Sequence, residues 1–127
     1  MPTDCARVLV IDDEAVLRTL LRDMLSACGY DADVAEDGAA GLERYRSQRY
    51  NAVITDLLMP VVDGHATILV LKKINPQVRI VAVSGATRAD SVARAALAGV
   101  KHYLAKPYSA GTLLTVLRDV LQKAPTA

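Results

Sequence analysis

With 127 residues, the chain has room for one domain of ordinary size, and a core of that size needs no metal or disulfide staple. Apolar residues make up 52% and charged residues 23%, which excludes disorder except at the ends. Lys and Arg total 15 against 14 Asp and Glu, a net charge of +1, and that balance argues against direct nucleic-acid binding, which calls for a basic face.

Taken in chain order, five short β-branched runs alternate with helical patterns. Arg7–Ile11 (RVLVI) is a nearly continuous apolar run, as expected of a strand covered on both faces. Behind it, Val16, Leu17, Leu20, Leu21, Met24 and Leu25 repeat at helical spacing until Gly29 closes the helix. Asp31–Ala35 is mixed and suits a sheet edge. Asp37 caps a second helix with Leu42 and Tyr45 on its inner face. Asn51–Thr55 is again apolar, and Asp63 caps a third helix that Pro76 stops. Arg79–Ser84 is the fourth strand, followed by a short alanine-rich helix that opens at Asp90 or Ser91 and ends at Gly99. Lys101–Ala105 is a second mixed run, and Ser109 caps a last helix with Leu113, Val116, Leu117, Val120 and Leu121 on one stripe. This alternation predicts an α/β fold: a doubly wound sheet of five parallel strands with right-handed crossovers, filling the chain as one domain with a core over about residues 6–122.

Ligands of such sheets bind beyond the carboxyl ends of the strands. Here strand 1 ends in Asp12-Asp13-Glu14, strand 3 in Asp56, strand 4 in Ser84-Gly85 and strand 5 in Lys106-Pro107. Carboxylates, a hydroxyl and an ammonium therefore converge on one rim. Two carboxylates at ~4 Å repel by about 4 kcal/mol at an effective dielectric of 20, so the set calls for a counter-ion. Mg²⁺ takes one or two carboxylates, waters and a phosphate oxygen, and Lys106 adds a point charge. Helix capping would give Asp12 and Asp13 a local role but does not account for three acids and a lysine at one rim. A carboxylate nucleophile facing a metal-neutralised phosphoryl group is the chemistry this set supports. His65 and His102 read as surface or partly buried side chains rather than ligands, so the rim offers no general base.

Four motifs, VLVIDDE (8–14), VITDLLMPVVDG (53–64), IVAVSGA (80–86) and YLAKPY (103–108), together resemble the receiver domain of two-component response regulators, the CheY-like group. The resemblance implies a flavodoxin-like (βα)5 fold with strand order 2-1-3-4-5. It implies that Asp56 is the phosphorylated residue and that Asp13, Asp56 and the Leu58 carbonyl ligate Mg²⁺ (Mn²⁺ being an alternative), with Asp12 acting through a water. Ser84 and Lys106 match the phosphoryl-binding hydroxyl and lysine, Ser84 and Tyr103 the switch pair, and Lys106–Pro107 a cis peptide. Backbone amide contacts would fall at Leu57 and Gly85. Leu58 and Ala86 stand at positions that tune the phosphoryl lifetime.

The implied function is a phosphoacceptor in phosphorelay signalling: a regulatory protein that assists its own phosphorylation rather than an enzyme. Its partners would be a histidine kinase or phosphotransfer domain, and a downstream partner or second copy on the face of helix 4, strand 5 and helix 5. Neither nucleic acid nor membrane is expected as a direct partner. No apolar run approaches the ~20 residues that span a bilayer. The N-terminus lacks signal-peptide character. Cys5 and Cys28 read as ordinary thiols in a reducing cytoplasm. The segment 74–85 resembles receivers at the C-terminus of hybrid sensor histidine kinases, so an excised receiver is the alternative to a stand-alone regulator. A flavin carrier of the same fold would not place Asp-Asp-Glu where a flavin phosphate sits. A dehalogenase-type phosphatase would need a second Asp where Leu58 stands.

Overall fold

The structure is a computed structural model, and it describes residues 6–57, 64–84, 96, 99–106 and 108–122. Within these, the elements run β1 (Arg7–Ile11), α1 (Ala15–Ala27), β2 (Asp31–Ala35), α2 (Gly38–Ser47), β3 (Ala52–Asp56), α3 (Gly64–Ile74), β4 (Ile80–Ser84), β5 (His102–Ala105) and α4 (Ala110–Gln122). All four strand pairings are parallel, in the order β2-β1-β3-β4-β5. The mixed sequences of β2 and β5 do lie at the edges. The chain order reverses across β1, and the rim beside β1 and β3 is the topological switch point. The helix expected between Asp90 and Gly99 lies outside the described residues apart from Ala96 and Gly99, as does its opening residue.

Alternation along each strand divides the core into two layers. Leu9, Ile11, Val53, Ile80 and Ala82 face α2 and α3, where Leu42, Tyr45, Ile68 and Leu71 complete one cluster. Val8, Val10, Ile54, Val81 and Val83 face α1 and α4, where Leu21, Leu25, Leu113, Leu117 and Val120 complete the other. Burial on both faces explains why β1, β3 and β4 read as unbroken apolar runs. Gly41 lets α2 approach β1 closely, because a Cβ there would lie 2.7 Å from Ile11 Cγ1.

The helix ends follow local chemistry. Asp37 is extended (φ −156°) and its carboxylate accepts the Ala40 N–H at 2.8 Å. Ser109 Oγ accepts the Thr112 N–H at 3.1 Å. Gly29 takes φ +92° just beyond α1, the left-handed conformation that ends helices. Two expectations change. The third strand runs one residue further than read, so Asp56 is its last residue and is clamped by the ladder. The six-residue stripe of α1 is only partly core: Leu21 and Leu25 are buried, but Val16 and Leu20 are 75% and 60% exposed. Asp63, the expected cap of α3, lies outside the described residues. None of the helices among the described residues is long and apolar enough to cross a membrane.

Candidate functional site

Each strand of the switch point delivers one part of the site. β1 ends at Ile11 and hands on Asp12, whose position is fixed at several atoms. Its N–H donates to the Ala35 carbonyl at 3.1 Å, its carbonyl accepts the Arg18 guanidinium at 2.8 Å, and its Oδ1 accepts the Glu14 N–H at 2.9 Å. That last bond is a local turn of the kind aspartate favours before a helix. Glu14 is the N-cap of α1, but its carboxylate goes to Lys106 instead of the helix amides. Asp56, at the end of β3, is 5% exposed. β5 runs into Lys106, whose N–H donates to the Ser84 carbonyl at 2.8 Å, fixing the lysine beside the end of β4.

These elements bring the predicted residues together. One carboxylate oxygen from each of Asp12, Asp13 and Asp56 lies within 4.8 Å of the others. Asp12 and Asp56 are buried, while Asp13 is exposed. Lys106 Nζ bridges the cluster, 2.9 Å from Asp56 Oδ2, 3.3 Å from Glu14 Oε1 and 3.4 Å from Asp12 Oδ2. The donor set is all oxygen, anionic and borne on rigid strand ends, which is what a hard divalent cation requires.

The electrostatics show the strain of this crowding. Burial raises the Asp12 pKa, with the Asp56 charge adding to the effect. The Glu14 N–H and the Lys106 charge oppose it without cancelling it. Burial acts to lower the Lys106 pKa. The hydrogen bond and charge of Asp56, with Asp12 and Glu14, outweigh it and hold the ammonium above the usual lysine range. The lysine is thus a permanent cation at working pH.

Ser84 is buried at the end of β4, directly opposite Ala105 of β5. Tyr103 is half-buried on β5, its hydroxyl donating to the Val100 carbonyl at 2.5 Å. Leu58, Gly85, Ala86 and Pro107 lie outside the described residues, and with them the Leu58 carbonyl, the Gly85 amide and the Lys106–Pro107 peptide. The expectation that the Leu57 N–H faces the site does not hold: it donates to the Val83 carbonyl at 2.9 Å, prolonging the β3–β4 ladder by one rung. His102 is partly buried, as read, with its Nε2 3.0 Å from Asp119 Oδ2, whereas His65, in the first turn of α3, is buried more fully than expected.

Two contributors were not singled out from sequence: Arg18, and Glu14 as a partner of Lys106. Arg18 sits one helical turn beyond Glu14, a spacing that brings a basic residue back over the loop.

Residues 8–118 match the response regulator receiver domain family. The chain is 32% identical over 116 residues to chemotaxis protein CheY of Bacillus subtilis (strain 168), covering 91% of this chain and 97% of that one. It is 34% identical over 120 residues to response regulator MprA of Mycolicibacterium vanbaalenii, covering 92% of this chain but 51% of that protein. Among solved structures, chemotaxis protein CheY4 of Vibrio cholerae superposes with a TM-score of 0.88 at 27% identity, over 93% of this chain and all of that one (100%).

Proposed function

This chain belongs to the response regulator receiver domain family, and on that premise we propose that Asp56 is its phosphoacceptor. The observation that carries the reading is the gathering of Asp12, Asp13 and Asp56 around one point, with Lys106 2.9 Å from Asp56. A histidine kinase or phosphotransfer domain is the donor. An Asp56 carboxylate oxygen attacks the phosphorus, the P–N bond to the donor imidazole breaks, and its electron pair returns to the imidazole nitrogen. The protein's part is chiefly to position and to stabilise charge.

Asp12, Asp13 and Asp56 are the residues that would hold Mg²⁺ or Mn²⁺, together with the Leu58 carbonyl. When bound, the cation neutralises charge on the phosphoryl oxygens. Lys106 pairs with the phosphoryl group as a point charge, and the Ser84 hydroxyl donates to one of its oxygens. Asp12, pinned at its backbone, keeps the loop from yielding to the repulsion. Among the described residues no side chain is placed as a general base, in keeping with an acyl phosphate that persists long enough to be read. The chain is a regulatory phosphoacceptor, and residues 6–122 act as one unit.

The read-out is a relay from Ser84 to Tyr103. As Ser84 turns toward the phosphoryl group, the Tyr103 ring exchanges its bond to Val100 for an inward position, two arrangements an amphipathic ring tolerates. The responding face comprises β5 and α4, where a downstream partner or a second copy docks; the helix expected before β5 lies outside the described residues.

Intact mass after treatment with acetyl phosphate tests the phosphoacceptor. An adduct of about 80 daltons, one phosphoryl group, is expected with Mg²⁺ and is lost on chelation or in Asp56→Asn. An adduct that survives Asp56→Asn would refute the assignment. For the relay, Tyr103 resonances should shift with beryllofluoride in the wild type and stay fixed in Ser84→Ala. Equal responses in both would remove the relay and leave Asp56 untouched.

A further inference from the structure

Asp13 is the exposed member of the acid trio, and among the described residues no hydrogen bond or ion pair holds its carboxylate. Even so, one of its oxygens lies within 4.8 Å of an oxygen of each buried partner, Asp12 and Asp56. A side chain without partners is aimed by its backbone, so the peptides on either side of Asp13 decide where it points. Both are tied. The N–H of the following peptide, that of Glu14, donates to Asp12 Oδ1 at 2.9 Å. The carbonyl of the preceding peptide, that of Asp12, accepts from Arg18 Nη1 at 2.8 Å. Because peptides are planar, holding both of them fixes the two backbone angles of Asp13.

Arg18 is not explained by its helix. It is the fourth residue of α1, near the positive end of the helix dipole, where a cation is unfavourable. Nor does ion pairing explain it. Asp12, Asp13 and Glu14 lie just upstream, yet among the described residues no acid forms an ion pair with its guanidinium. The half-buried side chain instead makes a charge-assisted bond to a main-chain oxygen, while its own N–H donates to the Glu14 carbonyl at 3.0 Å. Arg18 thus grips the acidic loop on both sides of Asp13. Lys106 differs in kind: it sits on carboxylate oxygens of Asp12 and Asp56, which an incoming divalent cation needs. Arg18 occupies none of the carboxylate oxygens, so a cation has nothing to displace there.

We propose that Arg18 is a positioning residue of the cation site: by holding the Asp12 carbonyl, it aims the Asp13 carboxylate at the point shared with Asp12 and Asp56. This rests on the reading of that pocket as a cation site. Charge and position predict opposite signs. As a charge alone, Arg18 repels a divalent cation, and its removal would tighten Mg²⁺ binding. As a positioning residue, its removal weakens binding. Arg18→Met keeps the apolar stem and deletes the donor, and its Kd for Mg²⁺ by calorimetry should rise roughly 10-fold, the scale on which groups that orient a metal ligand act. Arg18→Lys returns a charged donor and should recover part of the loss. In an Asp13→Asn background, Arg18→Met should change the Kd no further, because its effect runs through Asp13. Should Arg18→Met not fold, Arg18→Lys carries the same comparison, with a smaller loss that also disappears in Asp13→Asn. A wild-type or tighter Kd in Arg18→Met, or an undiminished loss in the Asp13→Asn background, would overturn the role of Arg18 and leave the cation site standing. If the wild type bound no Mg²⁺, or Asp13→Asn bound it equally well, the cation site itself would fall, and the role of Arg18 with it. A merely structural arginine would lower the melting temperature of the metal-free protein alike in both backgrounds and leave the Kd unmoved.

Discussion

At the amino-terminal end of the sheet, Arg7 gathers Asp31 at 3.1 Å and Asp33 at 3.3 Å, reaches Gln48, and lies 5.2 Å from the centre of the Tyr50 ring. Tyr50 in turn donates to Asp33 at 2.6 Å, and the Asn51 carboxamide accepts the Arg7 N–H at 2.7 Å. At the carboxyl end, Lys106 faces three carboxylates at once, and Asp13 adds a fourth to the cluster. Both ends tie neighbouring strands together with a cation. At the first, Arg7 pairs with two partly exposed acids, and the Tyr50 hydroxyl also donates to one of them, Asp33. At the second, Lys106 faces three acids of which Asp12 and Asp56 are buried, and Asp12, Asp13 and Asp56 converge closely enough to share one cation. An end whose buried acids converge on one point has capacity left for a cation, and it is the end where the switch point lies.

The sharpest way to separate the two ends is the cation. Mg²⁺ at a hundred times its Kd should stabilise the wild type by about 2.7 kcal/mol through mass action. Arg7→Ala should gain the same increment, and Asp13→Asn should lose most of it. Thermal unfolding at fixed protein concentration measures this. An equal Mg²⁺ response in Asp13→Asn would erase the distinction.

Next in size is Arg7 itself. Arg7→Ala removes two partly exposed ion pairs and a cation–π contact, and should cost about 1–2 kcal/mol in urea unfolding. Its rate of phosphorylation by acetyl phosphate should be unchanged, since the network lies at the far end of the strands. A slowed rate would mean the ends communicate.

The rim should answer in the opposite direction. Asp13→Asn relieves repulsion, so the metal-free protein should gain about 1 kcal/mol, a rise of a few degrees in melting temperature. A fall instead would make Asp13 part of the local scaffold. The contrast between Arg7→Ala and Asp13→Asn is the comparison in its plainest form, one charge removed at each end with stability moving opposite ways.

The smallest effects are in pH. Because the pKa of Asp12 is raised in the fold, its contribution to metal-free stability is fully present below the ordinary carboxylate pKa. It is lost as pH rises through the raised value, and Asp12→Asn should flatten that slope. At the other end, burial and Asp33 push Tyr50 up to about 12. Its contribution holds below the usual tyrosine pKa of about 10 and is lost as pH climbs toward 12. Tyr50→Phe should remove that alkaline slope and leave the acid one. Urea unfolding across pH reads both.

Much of the molecule was legible in the chain because its signals are local. Strands buried on both faces must be apolar throughout, so β1, β3 and β4 declare themselves, and the acids that end β1 and β3 mark the rim. Asp37, Ser109 and Gly29 announce helix ends through bonds and backbone angles that depend on nearby residues alone. Sequence pattern therefore determined the element order, the doubly wound class and the identity of Asp12, Asp13, Asp56, Ser84 and Lys106 as rim residues.

What the tertiary structure decided depends on directions between elements. At roughly 100° per residue, the apolar positions of α1 span about half the helix circumference, and only docking selects Leu21 and Leu25 for the core over Val16 and Leu20. The Leu57 amide looked available until the β3–β4 register committed it to Val83. The bridging of Asp12, Glu14 and Asp56 by one lysine joins residues up to 92 apart in sequence. Residue type and spacing carry propensity and period. Which atom meets which is set by packing, and it is at that level that an acidic strand end becomes a site.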